Sequence, residues 1–130
     1  MKTKTIISWA SQIIAAIILL QTLFFKFSAS PESVYIFTTL GVEPYGRIGS
    51  GVIELVAGLL LFTPRFCWLG ALIGLGTMLG AIVSHLFVLG IEIMGDGGQL
   101  FGMAIITAVC CILVLILNKE KINLKSIFPA

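Results

Sequence analysis

Four long apolar runs, parted only by short polar breaks, dominate this chain. They predict helices over about 5–26, 46–63, 66–90 and 98–118. Each run is at or near the ~17–25 residues needed to cross hydrocarbon. Helices are the expected spanning form, because backbone groups inside a bilayer must bond to one another and strands would require a closed barrel. Composition points the same way: 58% of the 130 residues are hydrophobic and 11% are charged, against about 25% charged in an ordinary soluble domain. A soluble fold of this size keeps too much surface wet to hide so much apolar area. The expectation is an all-α protein in contact with the lipid bilayer: one transmembrane domain over 1–130, built as a polytopic membrane four-helix bundle.

The first run starts after Lys2 and Lys4, and Ser28-Ala29-Ser30 mimics a signal-peptidase site. Its apolar core, about twenty residues, exceeds the ~7–15 of a signal peptide, and it ends in Lys26. It is therefore read as a retained helix.

The placement of charge sets the orientation. If both termini are cytoplasmic, the inner segments hold Lys2, Lys4, Arg65, Lys119, Lys121 and Lys125. The outer segments hold Lys26 and Arg47, offset by Glu32 and Glu43, and the loop before the fourth run carries Glu92 and Asp96. This asymmetry predicts a multi-pass protein of the bacterial cytoplasmic (inner) membrane with its N- and C-termini in the cytoplasm. The net charge is only +2 and no basic patch is interleaved with aromatics, so no nucleic acid partner is expected.

The loops carry their own signals. Ser30-Pro31-Glu32 reads as an N-cap, a proline at the first helical position and an early acid. Gly41 and Pro44 supply a stop. Between them Val34, Phe37 and Leu40 share one face with Tyr35 beside it, which predicts a short helix over about 31–40 lying in the outer interface. Thr63-Pro64-Arg65 is a tight turn, so the second and third runs form an antiparallel hairpin.

Helix association in lipid depends on close approach and polar contacts. Small residues mark the expected contact faces: Gly51 and Gly58 in the second run, Gly70, Gly74 and Ala81 in the third, and Gly98-x-x-x-Gly102, Ala104, Ala108 and Cys111 in the fourth. Cys67, Cys110 and Cys111 form no C-x-x-C and have no zinc spacing, so they read as small apolar fillers and no metal site is expected.

The ionisable groups inside the runs are the sharpest functional signal. Charge in hydrocarbon costs at least ~2.5–3.5 kcal/mol, so it normally faces the protein interior and finds a partner. Glu54 lies roughly 10 Å below the outer end of the second run, and His85 roughly 7–8 Å below the outer end of the third. Lys26 closes the first run, and Arg47 opens the second on the same helix face as Glu54. Gln21 lies below Lys26, and Asp96 and Gln99 start the fourth run. All four runs thus bring polar groups to the outer half, and the inner half has no comparable set. The expected site is a pocket open to the outer interface, with Lys26, Arg47, Glu54, His85 and Gln99 as ligand-binding residues and the loop helix as a lid.

Each of these residues also has a plainer role. Lys26 and Arg47 can snorkel to headgroups, Asp96 can cap a helix, Gln99 can bond a neighbouring backbone, and His85 can be an interfacial polar group. Glu54 is too short to snorkel, so it either pairs with Lys26 or Arg47 or is protonated. Structural ion pair and ligand site both stay open.

Several ordered features carry a resemblance. They are Lys26-Phe27, Gly51-x-x-Glu54-Leu55, Leu61-x-x-Pro64-Arg65 and Leu69-Gly70-Ala71, then Gly80-Ala81-x-x-x-His85-Leu86 and Asp96-Gly97-Gly98-x-Leu100-Phe101. From about Trp9 to Leu117 the chain resembles the DoxX-like family of small bacterial four-helix membrane proteins. The resemblance implies a four-helix membrane bundle with Lys26, Glu54 and His85 as the positions carried over. It also implies a setting near quinol oxidation, thiosulfate–quinone chemistry or maturation of disulfide-rich enzymes. The chain lacks the paired thiols of a dithiol–quinone oxidoreductase and the paired transmembrane histidines of a haem protein, so no intrinsic catalytic activity is expected. Two functions compete. One is binding of a lipophilic small molecule, quinone- or lipid-like, with quinone as the candidate cofactor. The other is a subunit or assembly factor working with a membrane protein partner or as a homo-oligomer.

Overall fold

The computed structural model of the chain describes residues 2–122; Lys125 lies outside them. These residues form five α-helices and no strand. The first, α1 (Lys2–Phe27), contains neither glycine nor proline, so nothing interrupts it. It ends where Ala29 turns to a positive φ of 56°. The second, α2 (Pro31–Thr39), begins as its sequence dictates: the Ser30 side chain accepts from the Ser33 N–H at 3.3 Å, and Pro31 occupies the first turn. Gly41, at φ 79°, turns the chain out of it. The third, α3 (Tyr45–Leu61), follows Pro44, and the Thr63-Pro64-Arg65 turn returns the chain into α4 (Cys67–Ser84). The fifth, α5 (Gln99–Leu117), follows a turn in which Gly95, Gly97 and Gly98 all take positive φ.

The third apolar run does not finish as an α-helix. From His85 to Leu89 the chain widens into one π-helical turn. Gly90, at φ 82°, closes it by donating its N–H to the His85 carbonyl at 2.8 Å. Widened turns of this kind are rare and recur at functional sites.

In packing, α1 lies against α3 and α5, and α4 lies against the same two, so α1 and α4 are diagonal to each other. The core between them is lined by small side chains, including Ala15, Ala16, Ala57, Ala71, Ala104, Ala108 and Cys111. Large apolar residues such as Ile17, Phe24, Val83, Phe87 and Ile116 point outward instead. This inverted pattern suits a lipid surround, where packing rather than apolar burial holds helices together.

Glycines show where the backbones come closest. A Cβ on Gly70 would sit 2.7 Å from the Ala57 carbonyl oxygen and 2.8 Å from the Leu61 nitrogen, so α3 and α4 meet backbone to backbone. Gly74 lies under Cys111, Gly58 under Leu20 and Gly51 under Phe27. The Gly98-x-x-x-Gly102 pair is not a contact of this kind. Gly98 serves the turn, and a Cβ on Gly102 would meet nothing within 4 Å.

Three segments are long and apolar enough to cross a membrane: Lys2–Phe27, Cys67–Leu89 and Gln99–Leu117. The run expected over 46–63 yields the shorter α3, whose 17 residues reach roughly 25 Å. Pro44 and Pro64 bound it, and Arg47 occupies its first turn.

Candidate functional site

One cavity of about 570 Å³ opens at the end of the molecule covered by α2. That volume falls within the ~300–1,000 Å³ of small-molecule sites. All five helices line it. Leu19, Met78, Leu100 and Met103 supply apolar wall, and Ile36 and Phe37 of α2, with Leu40 just past its end, also line it. The α2 helix therefore stands where the sequence puts a lid.

Glu54 projects from the middle of α3 and is 3% exposed. Its Oε1 accepts a hydrogen bond from Lys26 Nζ. The Thr22 hydroxyl lies 2.9 Å from Glu54 Oε2 and 2.7 Å from the Leu19 carbonyl, and its single proton serves one of them at a time. Lys26 also lies 5.8 Å from the centre of the Phe37 ring, within cation–π range. The chain thus brings the acid of α3, the cation of α1 and the aromatic of α2 to one wall of the cavity.

His85 stands across the bundle in the π turn that follows α4, also lines the cavity, and is 5% exposed. The π turn places its Nδ1 2.9 Å from the Gly90 carbonyl, and its ring meets Phe101 edge to face at 5.5 Å. Gln99 lines the cavity from the first turn of α5, is exposed, and takes no protein hydrogen bond through its side chain among the described residues. Gln21 lines it from α1, with Nε2 3.7 Å from Met103 Sδ.

Arg47 does not line the cavity. It is 7% exposed, donates through Nε to both Glu43 oxygens at 2.9 and 3.1 Å, and donates through a second nitrogen to the Lys26 carbonyl. Its role is to fasten α3 to the end of α1. Asp96 reaches the cavity rim as a backbone clasp: its carboxylate accepts from the Ile93, Gly98 and Leu100 N–H groups at 3.0, 2.8 and 3.2 Å. Partial burial works to raise its pKa. The three N–H donors and nearby His85 outweigh that and hold the carboxyl below its ordinary value of 3.8.

The opposite end holds a polar set that the sequence reading missed. Asn118 donates to Ser8 Oγ at 2.8 Å and to the Val114 carbonyl at 2.9 Å. Ser8 donates to Gln12 Oε1 at 2.7 Å, and Gln12 donates to the Leu61 carbonyl at 2.8 Å. All three side chains are buried. This relay joins α1, α3 and α5 where Lys4 pairs with Glu120 at 3.4 Å. A smaller cavity of about 260 Å³ lies beside it. The overlooked signal was a neutral serine, glutamine and asparagine within or beside apolar runs.

No three or more His, Cys, Asp or Glu side chains converge to hold a metal among the described residues. The three cysteines are buried and unbridged. Comparisons with protein-family models, with curated proteins and with solved structures return no match.

Proposed function

We propose that this is a four-span protein of the bacterial cytoplasmic membrane, DoxX-like in plan, that binds a small lipophilic molecule in an outer-leaflet pocket. One observation carries the reading: a cavity of about 570 Å³ with apolar walls has Lys26, Glu54 and His85 on its lining. Such a site suits a quinone- or lipid-like ligand, its tail against leucine and methionine and its head against the polar groups. The orientation draws support from the far end of the molecule, where Lys2, Lys4, Arg65 and Lys119 are exposed, as positive-inside bias favours. In this reading α3 is the fourth span, its short length eased by Arg47 and Tyr45 at the interface. No reaction is assigned, because one acid–base pair and one histidine define none.

The test is native mass spectrometry with lipid extraction on protein purified in mild detergent, comparing wild type with Glu54→Gln. A bound quinone or lipid lost in a folded variant supports the binding site. An empty wild type with a merely less stable variant supports a structural ion pair instead. The second reading, a subunit or assembly factor of a larger membrane redox complex, draws on Gly76 and Gly80. They lie one turn apart on α4, both exposed, with nothing within 4 Å of either Cβ position, and Gly80 but not Gly76 also lines the cavity. A helix from a partner protein or a second copy could approach closely there.

A further inference from the structure

The hydrogen bonding of His85 restricts which head group the cavity takes, an inference that rests on the binding reading above. The Gly90 carbonyl is only an acceptor, so the Nδ1 that lies 2.9 Å from it must carry the proton. In the neutral ring this leaves Nε2 as a bare acceptor, since the partner of one ring nitrogen fixes the role of the other. Among the described residues Nε2 has no protein hydrogen bond, although the side chain is more than nine-tenths buried and lines the cavity. Nε2 is not sealed inside the protein, so a group that enters the cavity can reach it.

Of the three carboxylates on the lining, Glu32 is exposed, Asp96 is held by backbone N–H groups and Glu54 is engaged by side chains. Glu54 meets Lys26 through one oxygen and Thr22 through the other. An anionic head would therefore have to compete with Glu54 for Lys26, and a carbonyl head would have no proton to give to His85. We infer that the cavity selects an amphiphile with a hydroxyl head, a phenol or alcohol that donates its hydrogen bond to His85 Nε2. For a quinone-like ligand this means the reduced, hydroxylated form rather than the oxidised one.

His85 is the only histidine in the chain, so histidine-selective ¹⁵N labelling reports on this ring alone. The experiment compares 4-nonylphenol with its methyl ether, 4-nonylanisole, on the full chain in detergent at pH 8. The expected result is an Nδ1-protonated ring whose Nε2 resonance moves upfield with the phenol and stays put with the ether. Native mass spectrometry should show the phenol binding about tenfold more tightly, the worth of one hydrogen bond. His85→Phe should bring the two probes to within about twofold. An Nε2-protonated ring, equal affinities in wild type, or a preference that survives His85→Phe would each overturn the inference while leaving the cavity as a binding site. Binding of neither probe, with no lipid carried through purification, would overturn the cavity reading itself.

Discussion

Arg47 donates a hydrogen bond to the main-chain carbonyl of Lys26, so the start of α3 is anchored to the last turn of α1. A helix ends with carbonyls that lack intrahelical partners, and here a buried guanidinium serves one of them while gripping Glu43. Arg47→Ala should lower stability by about 2–3 kcal/mol, the range for buried bonds to a charged group. Arg47→Lys should recover little, because an ammonium lacks the fork that reaches both partners. Thermal unfolding in detergent checks this, and an unshifted Tm for Arg47→Ala would refute it.

The Lys26–Glu54 pair predicts a non-additive series. Removing one partner leaves the other charge buried and uncompensated, at a cost of up to about 3–5 kcal/mol, whereas removing both is far milder. Glu54→Leu and Lys26→Met should each destabilise the protein, and the double variant should be more stable than either single one. Equal additive losses in a double-mutant cycle would show that the two side chains act independently.

Two glycines of α4 should respond oppositely to the same substitution. At Gly70 the new methyl meets main-chain atoms of Ala57 and Leu61 below 3 Å, so α3 and α4 must separate. Gly70→Ala should cost about 1–3 kcal/mol, as overpacking does. Gly80 faces open space, and Gly80→Ala should be neutral or stabilising by up to about 1 kcal/mol through helix propensity. Parallel denaturation of the two variants is the measurement, and similar losses would refute the packing described for α3 and α4.

Asp96 gives a pH dependence. Its folded pKa lies below the ordinary 3.8, so its contribution is fully present above that value and is lost as pH falls through the folded pKa. Amide exchange at Ile93, Gly98 and Leu100 should therefore accelerate below about pH 4. Asp96→Ala should bring the same acceleration at neutral pH and cost about 1 kcal/mol, the usual worth of a cap. Protection that is unchanged in Asp96→Ala would remove the clasp from the account.

What could be read in advance follows from how loudly each residue speaks in a bilayer. Glu54 stands inside an apolar run, so the sequence left it either a cation, Lys26 or Arg47, or a proton, and Lys26 is the cation it meets. Arg47 shares a helix face with Glu54, yet it turns to Glu43 one turn before it, a local partner that face analysis alone does not weigh. Ser8, Gln12 and Asn118 carry no charge, and the Ser8–Asn118 bond joins positions 110 residues apart, so neither composition nor periodicity flags them. The π turn at His85 was also illegible, since a single extra residue in one turn leaves the apolar pattern intact. That turn makes the bond between His85 and Gly90 on which the tautomer depends.

The relay from Asn118 through Ser8 to Gln12 also has a consequence in time. Among the described helices a ribosome delivers α1 before α5, so Ser8 waits for 110 further residues before its donor exists. Until then α1 has α3 beside it but an empty flank where α5 will lie. The α5 helix therefore acts as the closing stave of the assembly, and a nascent chain halted before Asn118 would hold α1 by one side only.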